Sequence, residues 1–78
     1  MQPVIAPNPA RADGFIRLEL QQPSRLEWLD LRGRSVFALG VQQAGTASLP
    51  APKTPGLYLL TTQPAAGGMI QTVRVVVQ

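Results

Sequence analysis

The residues that could perform chemistry in this chain are few, and their types exclude most catalytic mechanisms. The chain contains no histidine and no cysteine, the side chains that most often serve as general bases and nucleophiles. Its serines therefore lack a base that could activate them. The acidic side chains are four carboxylates, Asp13, Glu19, Glu27 and Asp30. We expect no enzymatic activity from this set.

Glu19 and Glu27 are the carboxylates with the most potential for shared acid–base chemistry. Both fall on predicted strands that we expect to be adjacent in a sheet. There they could face each other, or they could pair with Arg17 and Arg25. Cross-strand pairs of opposite charge stabilise sheets modestly, and we expect this structural role for them.

Metal and cofactor sites also lack support in the sequence. Soft ligands are absent, and the carboxylates are too dispersed for a hard cation. Gly67 and Gly68 are followed by neither a lysine nor a predicted helix, so they do not form a phosphate-binding loop. The sequence predicts no metal and no cofactor.

The charge pattern argues against nucleic acid as a partner. Six arginines and Lys53 outnumber the acids and give a net charge of +3, but they are dispersed rather than arranged in a stripe. The aromatic residues are too scattered for a base-stacking platform. Trp28 is expected to fill the core, and a sugar-stacking role is the alternative.

The length allows one domain and no membrane span. Seventy-eight residues suffice for a single core, and no run approaches the roughly 18 apolar residues of a spanning helix. The N-terminus lacks the basic and apolar regions of a signal peptide. We therefore expect either a cytoplasmic protein or a piece of a longer exported one, with Met1 added in cloning. Without disulfides, stability rests on packing and should be marginal.

The spacing of eight prolines and seven glycines favours short strands over helices. In residues 15–20, Ile16, Leu18 and Leu20 alternate with polar residues, which is typical of a half-buried strand. The prediction is an all-β fold, an antiparallel β-sandwich of six to seven short strands. The predicted strands cover residues 15–20, 25–31, 35–39, 47–49, 56–62 and 69–77.

The turns between these strands carry their own signals. We expect a bulge at residues 29–31, a two-residue hairpin loop at Arg32 and Gly33, and a strand end at Gly40. Residues 44–46 are predicted to turn before a short edge strand. The proline-rich segment 50–55 cannot pair in a sheet and is predicted to cross from one sheet to the other.

The final strand admits two interpretations. Residues 73–77 are almost all β-branched and apolar on both faces, which favours a central core strand. A C-terminal strand can also be offered to a partner by edge pairing. Both interpretations remain open from the sequence.

The order of the motifs is more specific than any one of them. Pro7, Asn8 and Pro9 precede the strand at 15–20. The hydrophobic strand at 25–31 comes next, and it is followed by a glycine and a basic residue. This order resembles the C-terminal sorting domains of type IX secretion cargo, although segment 50–55 is longer than usual there. The remaining motif residues are Asp30, Gly33, Arg34, Gly56, Tyr58, and the basic-plus-valine terminus Arg74, Val75, Val76, Val77 and Gln78.

Each motif position also has a physical reason that serves folding. Asp30 can bind the backbone of the turn it precedes, while Gly33 adopts dihedral angles that other residues avoid. Gly56 allows a tight entry into its strand, and Tyr58 can bury its ring while its hydroxyl finds a partner. We therefore expect these positions to be structural, and we place recognition by the export machinery at residues 74–78.

The resemblance implies an Ig-like sandwich behind a secreted N-terminal passenger, with residues 1–78 as a single sorting domain cut from the longer protein. Such a tag is recognised in the periplasm, passed through an outer-membrane translocon, bound by a shuttle protein and cleaved off by a cell-surface sortase. The passenger would then be secreted or held at the cell surface. The tag itself catalyses nothing and does not span the membrane.

Three alternatives belong to other classes of function. A small β-sandwich could bind carbohydrate or mediate adhesion at the end of a surface enzyme. A small basic β-barrel could bind nucleic acid, which the dispersed arginines disfavour. A structural spacer without a partner is the third.

Overall fold

The described part of the protein consists of strands and loops. The structure is a computed structural model that describes residues 5–6 and 10–78. Within these residues it contains seven strands and no helix, which confirms the prediction of an all-β fold. The strands are β1 (Ile5–Ala6), β2 (Phe15–Leu20), β3 (Ser24–Leu29), β4 (Ser35–Gln42), β5 (Gly45–Pro50), β6 (Gly56–Pro64) and β7 (Gln71–Val77).

The strands form two antiparallel sheets that pack as a sandwich. One sheet has the order β1-β2-β5, and the other has the order β4-β3-β6-β7. The chain changes sheet between β2 and β3, between β4 and β5, and between β5 and β6. The last change is made by the proline-rich segment, so the prediction that it crosses between sheets is confirmed.

The core lies between the sheets and follows the alternation in the sequence. In β2, Ile16, Leu18 and Leu20 are buried while the residues between them are exposed. In β3, Leu26 and Trp28 are buried in the same way. Trp28 has no exposed surface, so it is the large core side chain that the sequence predicted rather than a sugar-stacking platform.

Gly40 does not end the third predicted strand, because it forms part of a bulge. Gly40 pairs with Leu26, and Ala38 pairs with Glu27, so Leu39 is an extra residue on β4. The positive φ of Gly40, 74°, allows the backbone to absorb that residue. The strand therefore continues to Gln42. A second register shift between Trp28 and Leu29 lies one residue before the predicted bulge.

Other strand boundaries also differ from the prediction. The turn after β4 comes at residues 43–44, so β5 begins at Gly45. Pro50 closes β5 opposite Phe15, because proline is tolerated at the end of an edge strand. β6 extends to Pro64, and β7 starts at Gln71, which leaves Met69 and Ile70 exposed in the connecting loop.

The prediction that Glu19 and Glu27 lie on adjacent strands is wrong. β2 and β3 belong to different sheets, so the two carboxylates project from opposite outer faces. Glu19 instead accepts a hydrogen bond from the Thr46 hydroxyl on β5. Two strands in succession need not pair when the intervening turn carries the chain to the other sheet.

Candidate recognition surface

The C-terminal strand β7 lies at the edge of the four-stranded sheet and is buried on one face. Val75 and Val77 are buried in the core, whereas Arg74 and Val76 are exposed. The sequence left a central strand and an edge strand open as interpretations. In the four-stranded sheet, β7 is the last strand and pairs with β6. β7 is therefore an edge strand, and its inner face is apolar.

The C-terminal half of β7 is held by the segment that precedes β2. Ala10 donates its N–H to the Val76 carbonyl at 2.7 Å and accepts one from the Gln78 N–H at 2.8 Å. Ala12 donates to the Gln78 carbonyl at 2.8 Å. This short parallel contact covers the edge near the C-terminus, so the final residues are fixed on both sides.

The outer face of the sheet carries an apolar patch beside a cation at this same end. Leu29 of β3 lies opposite Leu59 of β6, and Leu59 lies opposite Arg74 of β7. Leu57 lies opposite Val76 in the next row. Residues directly opposed in antiparallel strands project from one face. We call Leu29, Leu57, Leu59, Arg74 and Val76 the outer patch.

The members of the outer patch are only partly covered by the protein. The three leucines are half-buried, Arg74 is exposed, and Val76 keeps 43% of its surface in contact with solvent. A small domain cannot cover every apolar side chain. Here, however, four apolar residues are grouped around one cation, which is an arrangement suited to contact with another protein.

The turn between β3 and β4 lies at the same end of the sheet. Asp30 Oδ1 accepts backbone N–H bonds from Arg32 and Arg34, both at 2.9 Å. Gly33 takes a φ of 82° in this turn and donates its N–H to the Asp30 carbonyl. The predicted backbone contacts of Asp30 and the unusual dihedral of Gly33 are therefore present. The prediction of a two-residue hairpin loop at Arg32 and Gly33 is wrong, because β3 ends at Leu29 and β4 begins at Ser35, which leaves a five-residue loop.

Asp30 and Arg34 also define the electrostatics of this turn. The backbone N–H of Arg34 is the largest of the influences that hold the pKa of Asp30 below its ordinary value. The N–H of Arg32 and the nearby guanidinium act in the same direction, while partial desolvation opposes them. The Arg34 Nε lies 3.4 Å from Asp30 Oδ2, and both side chains face solvent. The turn is thus preorganised by a carboxylate that is charged at neutral pH.

Gly56 and Tyr58 lie at the start of β6, next to the same turn. The Tyr58 ring is 3.6 Å from the position that a Cβ on Gly56 would occupy. Tyr58 is half-buried, packs edge-to-face against Trp28, and donates its hydroxyl to the Thr54 carbonyl at 2.7 Å. The expected arrangement, a packed ring with a bonded hydroxyl, is confirmed.

Most of the residues singled out in the sequence therefore meet at one end of the four-stranded sheet. Asp30, Gly33, Arg34, Gly56 and Tyr58 build that end, and residues 74–78 run through it. Pro7, Asn8 and Pro9 lie outside the described residues. The three outer-patch leucines were not selected from the sequence, although apolar residues at successive positions 57–60 signal a strand that is covered on both faces.

Two classes of site receive no support from the part of the chain that the structure describes. No group of three or more His, Cys, Asp and Glu side chains is placed to hold a metal ion. No helix among the described residues is long and apolar enough to cross a membrane.

Comparison with known proteins gives a match in structure rather than in sequence. No protein-family model matches the chain, and no curated protein sequence matches it. A solved structure does match, with a TM-score of 0.70 over 97% of the chain. The chain shares its fold with a segment of PorZ.

PorZ is described as an essential bacterial surface component of the type IX secretion system of Porphyromonas gingivalis. The chain is 18% identical to the matched segment and spans 11% of the PorZ chain. At that level of identity the similarity concerns the fold. It agrees with the resemblance to type IX sorting domains that the order of the motifs indicated.

Proposed function

We propose that this domain is a recognition module of the type IX secretion system, and specifically a C-terminal sorting domain. In this role it follows a passenger protein and directs it through the outer-membrane translocon. A shuttle protein then receives the folded domain, and a cell-surface sortase removes it. The passenger is secreted or retained at the cell surface, and the domain itself catalyses nothing.

The observation that carries the proposal is the convergence of the motif residues on one end of the sheet. Asp30, Gly33, Gly56 and Tyr58 fix the backbone around the outer patch, where Arg74 and Val76 are exposed. A sorting signal that is recognised in its folded form benefits from a rigid surface, because a preorganised surface loses less entropy on binding than a flexible peptide does. The fold shared with a segment of a type IX component supports the same assignment.

The direct test is export of a fused reporter. A reporter with an N-terminal secretion signal would be joined to residues 1–78 and expressed in a bacterium that has the type IX system. We expect surface or extracellular reporter only when both the domain and the translocon are present. A reporter that stays in the periplasm with the intact domain would contradict the proposal.

Cleavage by the sortase is a separate part of the proposal and needs its own measurement. The mass of the exported reporter should correspond to a protein without the domain. In a strain without the sortase, the domain should remain attached. An exported reporter that keeps the domain in both strains would remove cleavage from the account while leaving export in place.

A second candidate function follows from the nature of PorZ. Because that protein is a surface component of the machinery, the fold also suits a module that stays in an assembled component. This alternative predicts that the exported fusion keeps the domain and copurifies with the machinery. Carbohydrate binding through Trp28 loses its motivation, since that ring is buried.

A further inference from the structure

A cleft opens between the two sheets at a site separate from the outer patch. It has a volume of about 430 Å³ and is lined mainly by apolar groups. Its lining includes Val36 and Phe37 of β4, Tyr58 of β6 and residues 50–54. Asp13 and Lys53 also line it. With one charge of each sign, the cleft favours an uncharged apolar group.

The walls of the cleft are held in place by hydrogen bonds within the domain. Two side-chain hydrogen bonds fix the linker between β5 and β6. Trp28 Nε1 donates to the carbonyl of Pro50, just before the linker, and the Tyr58 hydroxyl donates to the carbonyl of Thr54 within it. Two backbone bonds, Asp13 N–H to Pro52 and Ala51 N–H to Gly14, hold it further. The cleft is therefore preformed, as is usual for binding sites.

The cleft adjoins the start of an edge strand. In the residues described, β4 has a hydrogen-bonded neighbour, β3, on one side, so alternate backbone groups on its other side are not used by a sheet partner. Near its far end, the Leu39 carbonyl accepts a bond from the Gln42 side chain at 3.0 Å. The part of β4 nearest the cleft, residues 35–38, is thus the part suited to pairing.

The register of β4 turns a side chain towards the cleft at this place. The shift between Trp28 and Leu29 inserts Val36 as an extra residue between Phe37 and Ser35. Bulges re-aim side chains and are enriched beside binding sites. Val36 keeps 43% of its surface exposed and lines the cleft.

We infer that residues 35–38 and the cleft form a docking site for an extended, uncharged segment of a partner polypeptide. The segment adds to the edge of β4 through backbone hydrogen bonds and seats one bulky apolar side chain in the cleft. Strand addition gives affinity through the main chain and specificity through a side-chain pocket. This site does not depend on the proposed role in secretion.

Charge favours this occupant over a second copy of the domain. Residues 35–52 contain no charged side chain, and Asp13 and Lys53, which line the cleft, carry opposite charges. The surface therefore complements an uncharged strand. Two copies would each contribute a net charge of +3, and this repulsion opposes their association. A peptide of neutral residues brings no such penalty.

The test uses the intact 78-residue chain and a panel of capped peptides, Thr-Val-Thr-X-Thr-Val-Thr, with X as alanine, leucine, phenylalanine or aspartate. Amide chemical shifts would report the site of binding. We expect amide shifts confined to β4, Ala51, Lys53, Thr54 and Tyr58. The leucine or phenylalanine peptide should bind about tenfold or more tightly than the alanine peptide, and the aspartate peptide should bind more weakly than alanine.

Val36 and Val41 provide a matched pair of variants. They are exposed by 43% and 42% and lie on the same strand, but only Val36 lines the cleft. Val36→Lys should weaken binding about tenfold or more, whereas Val41→Lys should leave it unchanged. Circular dichroism would establish that both variants fold.

Four outcomes of the peptide measurements would overturn the inference. They are no saturable binding of any peptide at about 1 mM, affinity that is independent of X, equal effects of the two lysine variants, and shifts on β5 or β7 in place of β4. Concentration-dependent dimers that Val36→Lys abolishes would assign the edge to a second copy and would equally overturn it.

Discussion

The indole nitrogen of Trp28 lies 3.0 Å from the carbonyl oxygen of Pro50 and donates a hydrogen bond to it. Trp28 belongs to β3 and Pro50 to β5, so this bond joins the two sheets. The ring is also flanked by Phe37 and Tyr58, with centroids 6.5 and 6.3 Å away. One buried side chain therefore fixes the spacing of the sheets and the position of the linker.

Substitution of Trp28 should separate its packing from its hydrogen bond. Trp28→Ala leaves a large cavity and should cost about 3–5 kcal/mol of unfolding free energy, which a domain of this size cannot readily spare. Trp28→Phe keeps much of the packing but leaves the Pro50 carbonyl without this donor, at a cost of about 1–3 kcal/mol. Urea unfolding would measure both, and wild-type stability of Trp28→Phe would contradict this role for the bond.

The Asp30 turn should make stability depend on acid pH. Because the pKa of Asp30 is lowered in the folded state, its stabilising contribution is present above the ordinary value of 3.8 and is lost as pH falls through the lowered value. Asp30→Asn should remove this part of the pH dependence. Denaturant midpoints from about pH 2 to 7 would test it.

Variants of Arg34 and Arg32 test whether the backbone hydrogen bonds or the ion pair cause the pH dependence attributed to Asp30. The N–H bonds to Asp30 remain when either side chain is changed, so Arg34→Gln should keep most of the pH dependence. Arg32→Gln, which removes a side chain without a contribution of its own to the Asp30 pKa, should keep all of it. Loss of the entire effect in Arg34→Gln would show that the ion pair, rather than the backbone bonds, is responsible.

Gly33 should be sensitive to conformation rather than to size. A Cβ at this position would meet nothing within 4 Å, yet φ is 82°. Gly33→Ala should therefore destabilise the domain by about 1–2 kcal/mol through backbone strain alone. Gly33→Asn should cost less, because asparagine tolerates this region better. Thermal unfolding would give the order, and equal losses would contradict a conformational origin.

The final strand should combine structural residues with exposed ones. Val75→Ala opens space in the core and should cost about 2–3 kcal/mol, whereas Val76→Ala should stay within about 0.5 kcal/mol. Deletion of residues 74–78 removes Val75, Val77 and the bonds to Ala10 and Ala12, so we expect it to unfold the domain. Chemical denaturation would test the pair. Similar losses for Val75 and Val76 would contradict the assigned burial.

The sequence predicted the regular parts of the fold because alternation reports burial directly. Phe15–Leu20 has the predicted boundaries, and Leu26 and Trp28 face the core as expected. Asp30, Gly33 and Tyr58 were assigned their local roles because each role depends on nearby residues. The crossing segment was found because proline is disfavoured within paired strands, although Pro50 itself ends β5.

Features that depend on pairing between distant residues were missed. Gly40 resembles a strand end, and only the position of Leu26 opposite it makes it a bulge. Glu19 and Glu27 were placed on adjacent strands because the sequence does not show in which sheet a strand lies. The outer patch needs the registers of β3, β6 and β7 together, and no local pattern contains that information.

Surface export of a reporter fused to variants of the outer patch tests the central claim most directly. Arg74→Gln with Val76→Asp changes two exposed residues of the patch, and the matched control Arg25→Gln with Val41→Asp changes an exposed arginine and an equally exposed valine at the other end of the same sheet. Circular dichroism must show that both domains fold. The account predicts that the patch variant is retained in the periplasm while the control is exported at the wild-type level. Normal export of a folded patch variant would contradict it.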